Sequence, residues 1–169
     1  MERVALPLAL MIAFVSFYAC SQTFSDEGQT ALAQGRLDDA VRQVTAAVNA
    51  DPGNLQLRHF AAEVFTRRGI QHYNNHEMLA AANDFQTATQ YDPMYGPAYD
   101  YLGMIAFWKH DWQNAVDLGT HASMLEGRPD PPWVEQARQE LDKIKNGGAS
   151  LRPDRQNASS KTVESPTTH

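Results

Sequence analysis

The chain has 169 residues, 43% of them apolar, and a formal net charge of -6. That length suits one domain of ordinary size, and the absence of any long basic run argues against nucleic-acid binding, which depends on neutralising phosphates. Cys20 is the only cysteine, which excludes a disulfide within the chain.

The first twenty residues stand apart. Glu2 and Arg3 precede an uncharged, mostly apolar run from Val4 to Tyr18 that ends at Ala19-Cys20. The run is shorter than the ~20 residues a transmembrane helix needs, and its layout predicts a secretory signal peptide over 1–19. Phe17-Tyr18-Ala19-Cys20 resembles a bacterial lipobox, with a small residue before the cysteine and Phe17 where leucine is usual. The resemblance implies cleavage after Ala19, diacylglycerol on the Cys20 sulfur and a lipidated N-terminus over 20–22. Each buried CH₂ of such a lipid adds about 0.8 kcal/mol of membrane affinity, and stable anchoring takes more than one chain. It also implies a periplasm-facing place in the bacterial cell envelope. Ser21, rather than aspartate, after the cysteine favours the outer membrane over the inner. A soluble periplasmic protein without lipid is the alternative.

Seven helices follow in the sequence pattern. The first spans 24–34, with Thr23-x-x-Asp26 as an approximate capping box. The second, 38–50, stops at Asp51-Pro52, because proline disfavours helical geometry in the residue before it. Helices over 55–74 and 77–91 come next, the latter stopped by Asp92-Pro93, and then helices over 96–109 and 112–125. Asp130-Pro131-Pro132 opens a last helix over 132–146, with proline near the first turn, where its missing N–H costs little. Trp133, Ala137, Leu141 and Ile144 form its apolar stripe, and Gly147 marks its end. Residues 148–169 are rich in Ser, Thr, Asn and Pro and carry few large apolar side chains, the composition of a disordered tail.

These helices repeat. Gly28, Gly69 and Gly103 are separated by 41 and 34 residues; so are Ala40, Ala81 and Ala115, and Ala47, Ala88 and Ala122. Pro52 and Pro93 lie 41 apart, with Gly127 34 further on. A mid-helix glycine costs about 1 kcal/mol relative to alanine, so each needs a packing reason, and close helix approach supplies it. In this register the chain resembles the tetratricopeptide (TPR) repeat, a 34-residue helix-turn-helix unit. Tyr99-x-x-Leu102-Gly103-x-x-Ala106 followed by Asp111-Trp112-x-x-Ala115 carries the likeness most clearly. The resemblance implies an all-α, right-handed superhelix of three such units over 23–54, 55–95 and 96–129, with a capping helix over 130–147. The seven extra residues of the second unit are expected to lengthen the N-terminal end of helix 55–74, where Leu57, Phe60, Ala61, Val64 and Phe65 keep helical spacing.

No catalytic set emerges: there is no phosphate loop, no nucleophile elbow and no cysteine pair, and nothing points to a cofactor, a metal or a small-molecule substrate. His72 and His76, four apart, could share a metal on one helix, but the register puts His72 in an aromatic packing slot and His76 in a turn. Asp26, Glu27, Asp38 and Asp39 sit at helix starts, where negative charge is favoured. The family resemblance implies instead a concave face lined by the first helices, holding a peptide or helix of a partner protein. Its positions here include Thr66, Asp100 and Phe107 and, as the candidate groove, Arg67, Ile70, Tyr73, Asn74, Tyr101, Met104 and Trp108. The set that clamps acidic chaperone tails in some relatives is not reproduced: its slots hold Ser25, Gln29, Arg67, Pro97 and Tyr101, and only Arg67 has a suitable charge. The function implied is a non-catalytic scaffold in assembly of an envelope complex, such as pilus, secretion or cell-wall machinery. A metal-binding or enzyme-accessory subunit is the alternative.

Overall fold

The computed structural model describes residues 26–149, and side chains over 26–147. Cys20, the signal segment, the Thr23 cap and the tail beyond 149 lie outside the described residues. Within them the chain is all α-helix. Helix α1 spans 26–33, α2 Leu37–Ala50, α3 Leu55–Asn74, α4 Met78–Tyr91, α5 Gly96–Trp108, α6 Trp112–Glu126 and α7 Pro132–Ala149. From α2 onward each helix packs on the next, and α3 also touches α5, as α5 touches α7. The architecture is a helical repeat of stacked hairpins.

The repeating small residues make the stacking possible. Ala40, Ala81 and Ala115 are fully buried, as are Ala47, Ala88 and Ala122. A side chain at Gly69 would place its Cβ 2.7 Å from the Phe85 ring, and one at Gly103 would place it 2.7 Å from the Trp133 ring. Gly28 is looser, 3.3 Å from the Phe60 ring. The hairpin turns repeat too. Gly35, His76 and His110, again 41 and 34 apart, all adopt the left-handed conformation, with φ of 71°, 64° and 59°. At each turn the next residue's N–H reaches back five positions: Arg36 to Ala31 O, Glu77 to His72 O, Asp111 to Ala106 O. This double closure of the helix end requires positive φ. Glycine adopts it freely, whereas other residues lose about 1–2 kcal/mol.

Helix α3 is 20 residues long, so the extra residues of the second unit do lengthen its N-terminal end. Asn54 caps it, accepting from the N–H groups of Gln56 and Leu57 at 3.1 and 3.2 Å. The extension reaches the far end of α4, where Arg58 Nε donates to Tyr91 O at 2.8 Å and His59 Nδ1 lies 2.6 Å from Asp92.

The last helix departs from expectation in two ways. Ile144 is 61% exposed, while Val134, absent from the expected stripe, is fully buried beside Ala137. Trp133 and Val134 seat in a slot opened by Gly119 and Gly103, and a Cβ on Gly119 would collide with both side chains. Docking of the first turn onto α6 therefore sets the buried face, and later turns rotate away from it. Helix α7 also runs through Gly147 to Ala149; glycine permits a helix end without forcing one.

Gly69→Ala is expected to lower stability by about 1–2 kcal/mol, the clash with Phe85 outweighing the usual propensity gain of alanine. Chemical denaturation followed by circular dichroism checks the sign; a stabilised variant contradicts the close approach. His76→Gly should have the opposite effect, raising stability by up to about 1 kcal/mol through relief of the left-handed strain.

Candidate functional site

The site begins with Phe85, fully buried because Gly69 leaves room for its ring against α3. Tyr101 of α5 stacks on it, ring centroids 4.9 Å apart and planes 13° apart. Tyr73, at the end of α3, meets Tyr101 edge-on at 5.8 Å. The Tyr73 hydroxyl accepts a 2.9 Å hydrogen bond from Trp108 Nε1. Four aromatic side chains thus run from the core to the surface, where Trp108 is 66% exposed. Burial raises the Tyr101 hydroxyl above its ordinary pKa.

Tyr73, Asn74 and Trp108 line a recess of about 510 Å³ at the C-terminal ends of α3 and α5. His76, Met78, Ile105 and Lys109 complete the lining. Of the groove residues expected from sequence, the structure brings these three together. Tyr101 and Ile70 lie beneath, partly buried against the Phe85 cluster. Met104 is half-buried and outside the recess. Arg67 is exposed and held by Glu63, which accepts from Nε at 3.1 Å and from Nη2 at 2.8 Å. Thr66, expected on an open face, is buried, and its Oγ1 has no partner among the described residues. Asp100 is engaged by Arg128 at 2.9 Å. Met78, Ile105 and Lys109 were missed by sequence reasoning. Ile105 and Met78 look like ordinary packing residues, but Lys109 had a signal: it is the only lysine or arginine between residues 69 and 127.

His72 takes part in an ionic cluster. Its Nδ1 contacts Glu77, and its Nε2 lies 3.7 Å from Asp84. Asp84 in turn accepts two hydrogen bonds from Arg68, at 2.8 and 2.7 Å. Arg68 also reaches Asp38 of α2 at 3.2 Å, so one guanidinium ties α2, α3 and α4 together. The hydrogen bonds Arg68 donates to Asp84 raise the Arg68 pKa above its ordinary value. Among the described residues no group of three or more His, Cys, Asp or Glu is placed to hold a metal ion. No helix among the described residues is long and apolar enough to cross a membrane.

No protein-family model matches the chain, and no curated protein matches it. Similar solved structures include the Sgt2 TPR domain from Aspergillus fumigatus, 23% identical over 83% of this chain and 91% of that one, with a TM-score of 0.45. The Arabidopsis OM64 TPR domain is 20% identical over 76% of this chain and 98% of that one, with a TM-score of 0.46. The first TPR of Spaghetti (RPAP3), bound to the HSP90 peptide SRMEEVD, is 23% identical over 78% of this chain and 94% of that one, with a TM-score of 0.44. The likeness concerns fold alone.

Asp84→Asn should destabilise the chain by about 1–3 kcal/mol, because it removes the buried countercharge and one acceptor from a guanidinium that is only 22% exposed, leaving it the exposed Asp38. Urea denaturation measures the loss; a change below about 0.5 kcal/mol would show that the pair does not hold the hairpin.

Proposed function

We propose that the chain is a non-catalytic interaction scaffold of the bacterial cell envelope, anchored by a lipid on Cys20. It holds a peptide or helix of a partner protein at the recess between the ends of α3 and α5, during assembly of an envelope complex such as pilus, secretion or cell-wall machinery. The observation that carries the binding reading is Trp108, a large indole left 66% exposed yet pinned by the Tyr73 hydroxyl. Tryptophan and tyrosine lead the side chains enriched at interface hot spots. An indole already held in place loses less rotamer freedom when a partner lands on it. The recess combines aromatic and aliphatic lining from Tyr73, Met78, Ile105 and Trp108 with a few polar groups, a surface suited to association. The anchor rests on the apolar run ending at Ala19-Cys20.

A photo-crosslinking amino acid at Asn74 in the native cell is expected to capture one dominant partner, and Trp108→Ala to remove most of that capture with an unchanged helical spectrum. Retained capture would defeat the assignment. Tyr101 is unsuited to this test because it stacks on buried Phe85. For the anchor, mass spectrometry of the mature chain should find diacylglycerol on an N-terminal Cys20; an unmodified N-terminus would leave the soluble periplasmic alternative.

A further inference from the structure

The recess has a charge asymmetry that its apolar lining conceals. No aspartate or glutamate lines it, although the chain as a whole carries a net charge of -6. Lys109, immediately after Trp108, stands at its edge. Every arginine among the described residues is committed internally, to a carboxylate or, for Arg58, to backbone carbonyls. Lys143 pairs with Glu140, and Lys145, near the far end of α7, enters no ion pair among the described residues but is remote from the recess lining. Lys109 enters none of the ion pairs among the described residues. Glu77, in the turn after α3, contacts His72, and Asp111, two residues after Lys109, accepts from Asn114. An uncommitted cation thus borders an exposed indole and an apolar hollow formed by Tyr73, Met78 and Ile105.

Resting on the partner-binding reading above, we propose that the recess selects a protein segment in which a large apolar side chain lies within two residues of an aspartate or glutamate. The apolar side chain fills the hollow against Trp108, and the acidic side chain meets Lys109 Nζ. The two parts contribute differently. Burial of the apolar anchor supplies most of the affinity. The charge pair at the rim sets which segments are accepted and how fast they associate. This acidic contact is separate from the slots at Ser25, Gln29, Arg67, Pro97 and Tyr101.

The probe is a random twelve-residue peptide library displayed on phage, selected against the full-length chain and, in parallel, against Lys109→Glu and Trp108→Ala. The full-length chain is expected to enrich peptides with Asp or Glu within two positions of Leu, Ile, Phe, Met or Trp. The strongest of these, resynthesised with a fluorophore, should lose about 10-fold in affinity on Lys109→Glu and weaken as salt rises from 50 to 500 mM. Lys109→Glu should enrich Lys or Arg at the same spacing. Apolar peptides enriched without acidic residues, and the same set recovered on Lys109→Glu, would overturn the charge selection while leaving the partner recess standing. Enrichment unchanged by Trp108→Ala, or no enrichment on any of the three, would overturn both. Lys109 is exposed and unpaired among the described residues, so its substitution leaves the fold available for the comparison, and circular dichroism verifies it.

Discussion

The contact of a phenyl ring with a bare helix backbone, Phe85 against Gly69, governs what lies above it. Because Gly69 lacks a side chain, α4 approaches α3 closely enough to bury Phe85 completely. The ring then offers a flat face to α5, and Tyr101 lies on it nearly parallel. Tyr101 fixes Tyr73, and Tyr73 fixes Trp108 through a hydrogen bond. Packing at a hairpin crossing is thereby transmitted to an exposed indole on the rim. Aromatic pairs of this kind add about 0.5–1.5 kcal/mol beyond area burial, which is enough to favour one arrangement of the surface without freezing it.

The same hairpin is secured on its other side by charge. Arg68 is shared between Asp84 and Asp38, and His72 lies against Glu77 and Asp84. A carboxylate as enclosed as Asp84 is tolerable only with its lone pairs occupied, and the bidentate guanidinium does this. Aromatic stacking positions the recess, and the ionic cluster holds α3, which carries Tyr73 and Asn74, against α2 and α4.

Helix boundaries and repeat register were legible in the sequence because they rest on local chemistry. Prolines after Asp51 and Asp92 stop helices whatever the tertiary setting, and the alanines at 40, 81 and 115 mark crossings that admit nothing larger. The lengthened α3 was legible as well, because an apolar pattern of helical period over Leu57, Ala61 and Val64 cannot be a loop. Details requiring an angle between helices were not. Val134 rather than Ile144 is buried because Trp133 seats over Gly119 and Gly103, and the helix phase follows from that seat. The site was half legible: Tyr73, Asn74 and Trp108 fall in the register of the inner helices, but Met78 and Lys109 join them from a helix start and a helix end. Thr66 shares that register with residues expected on an open face, yet it is covered, because register identifies a face and not what lies over it.

The longer second unit makes the two edges of the stack chemically unlike. At one edge, the C-terminal ends of α3 and α5 present an indole, an apolar hollow and a lysine. At the other, a hollow of about 680 Å³ runs between Leu55 and Met94, where His59 lies against Asp92 and Arg58 donates to the Tyr91 carbonyl. The two edges therefore leave different groups open: a Lys109 unpaired among the described residues at one, and at the other a histidine set against an aspartate and an arginine bonded to backbone carbonyls. If the proposed binding at Trp108 holds, the two ends of α3 and α5 are not interchangeable for a partner, because only one of them is lined by an indole.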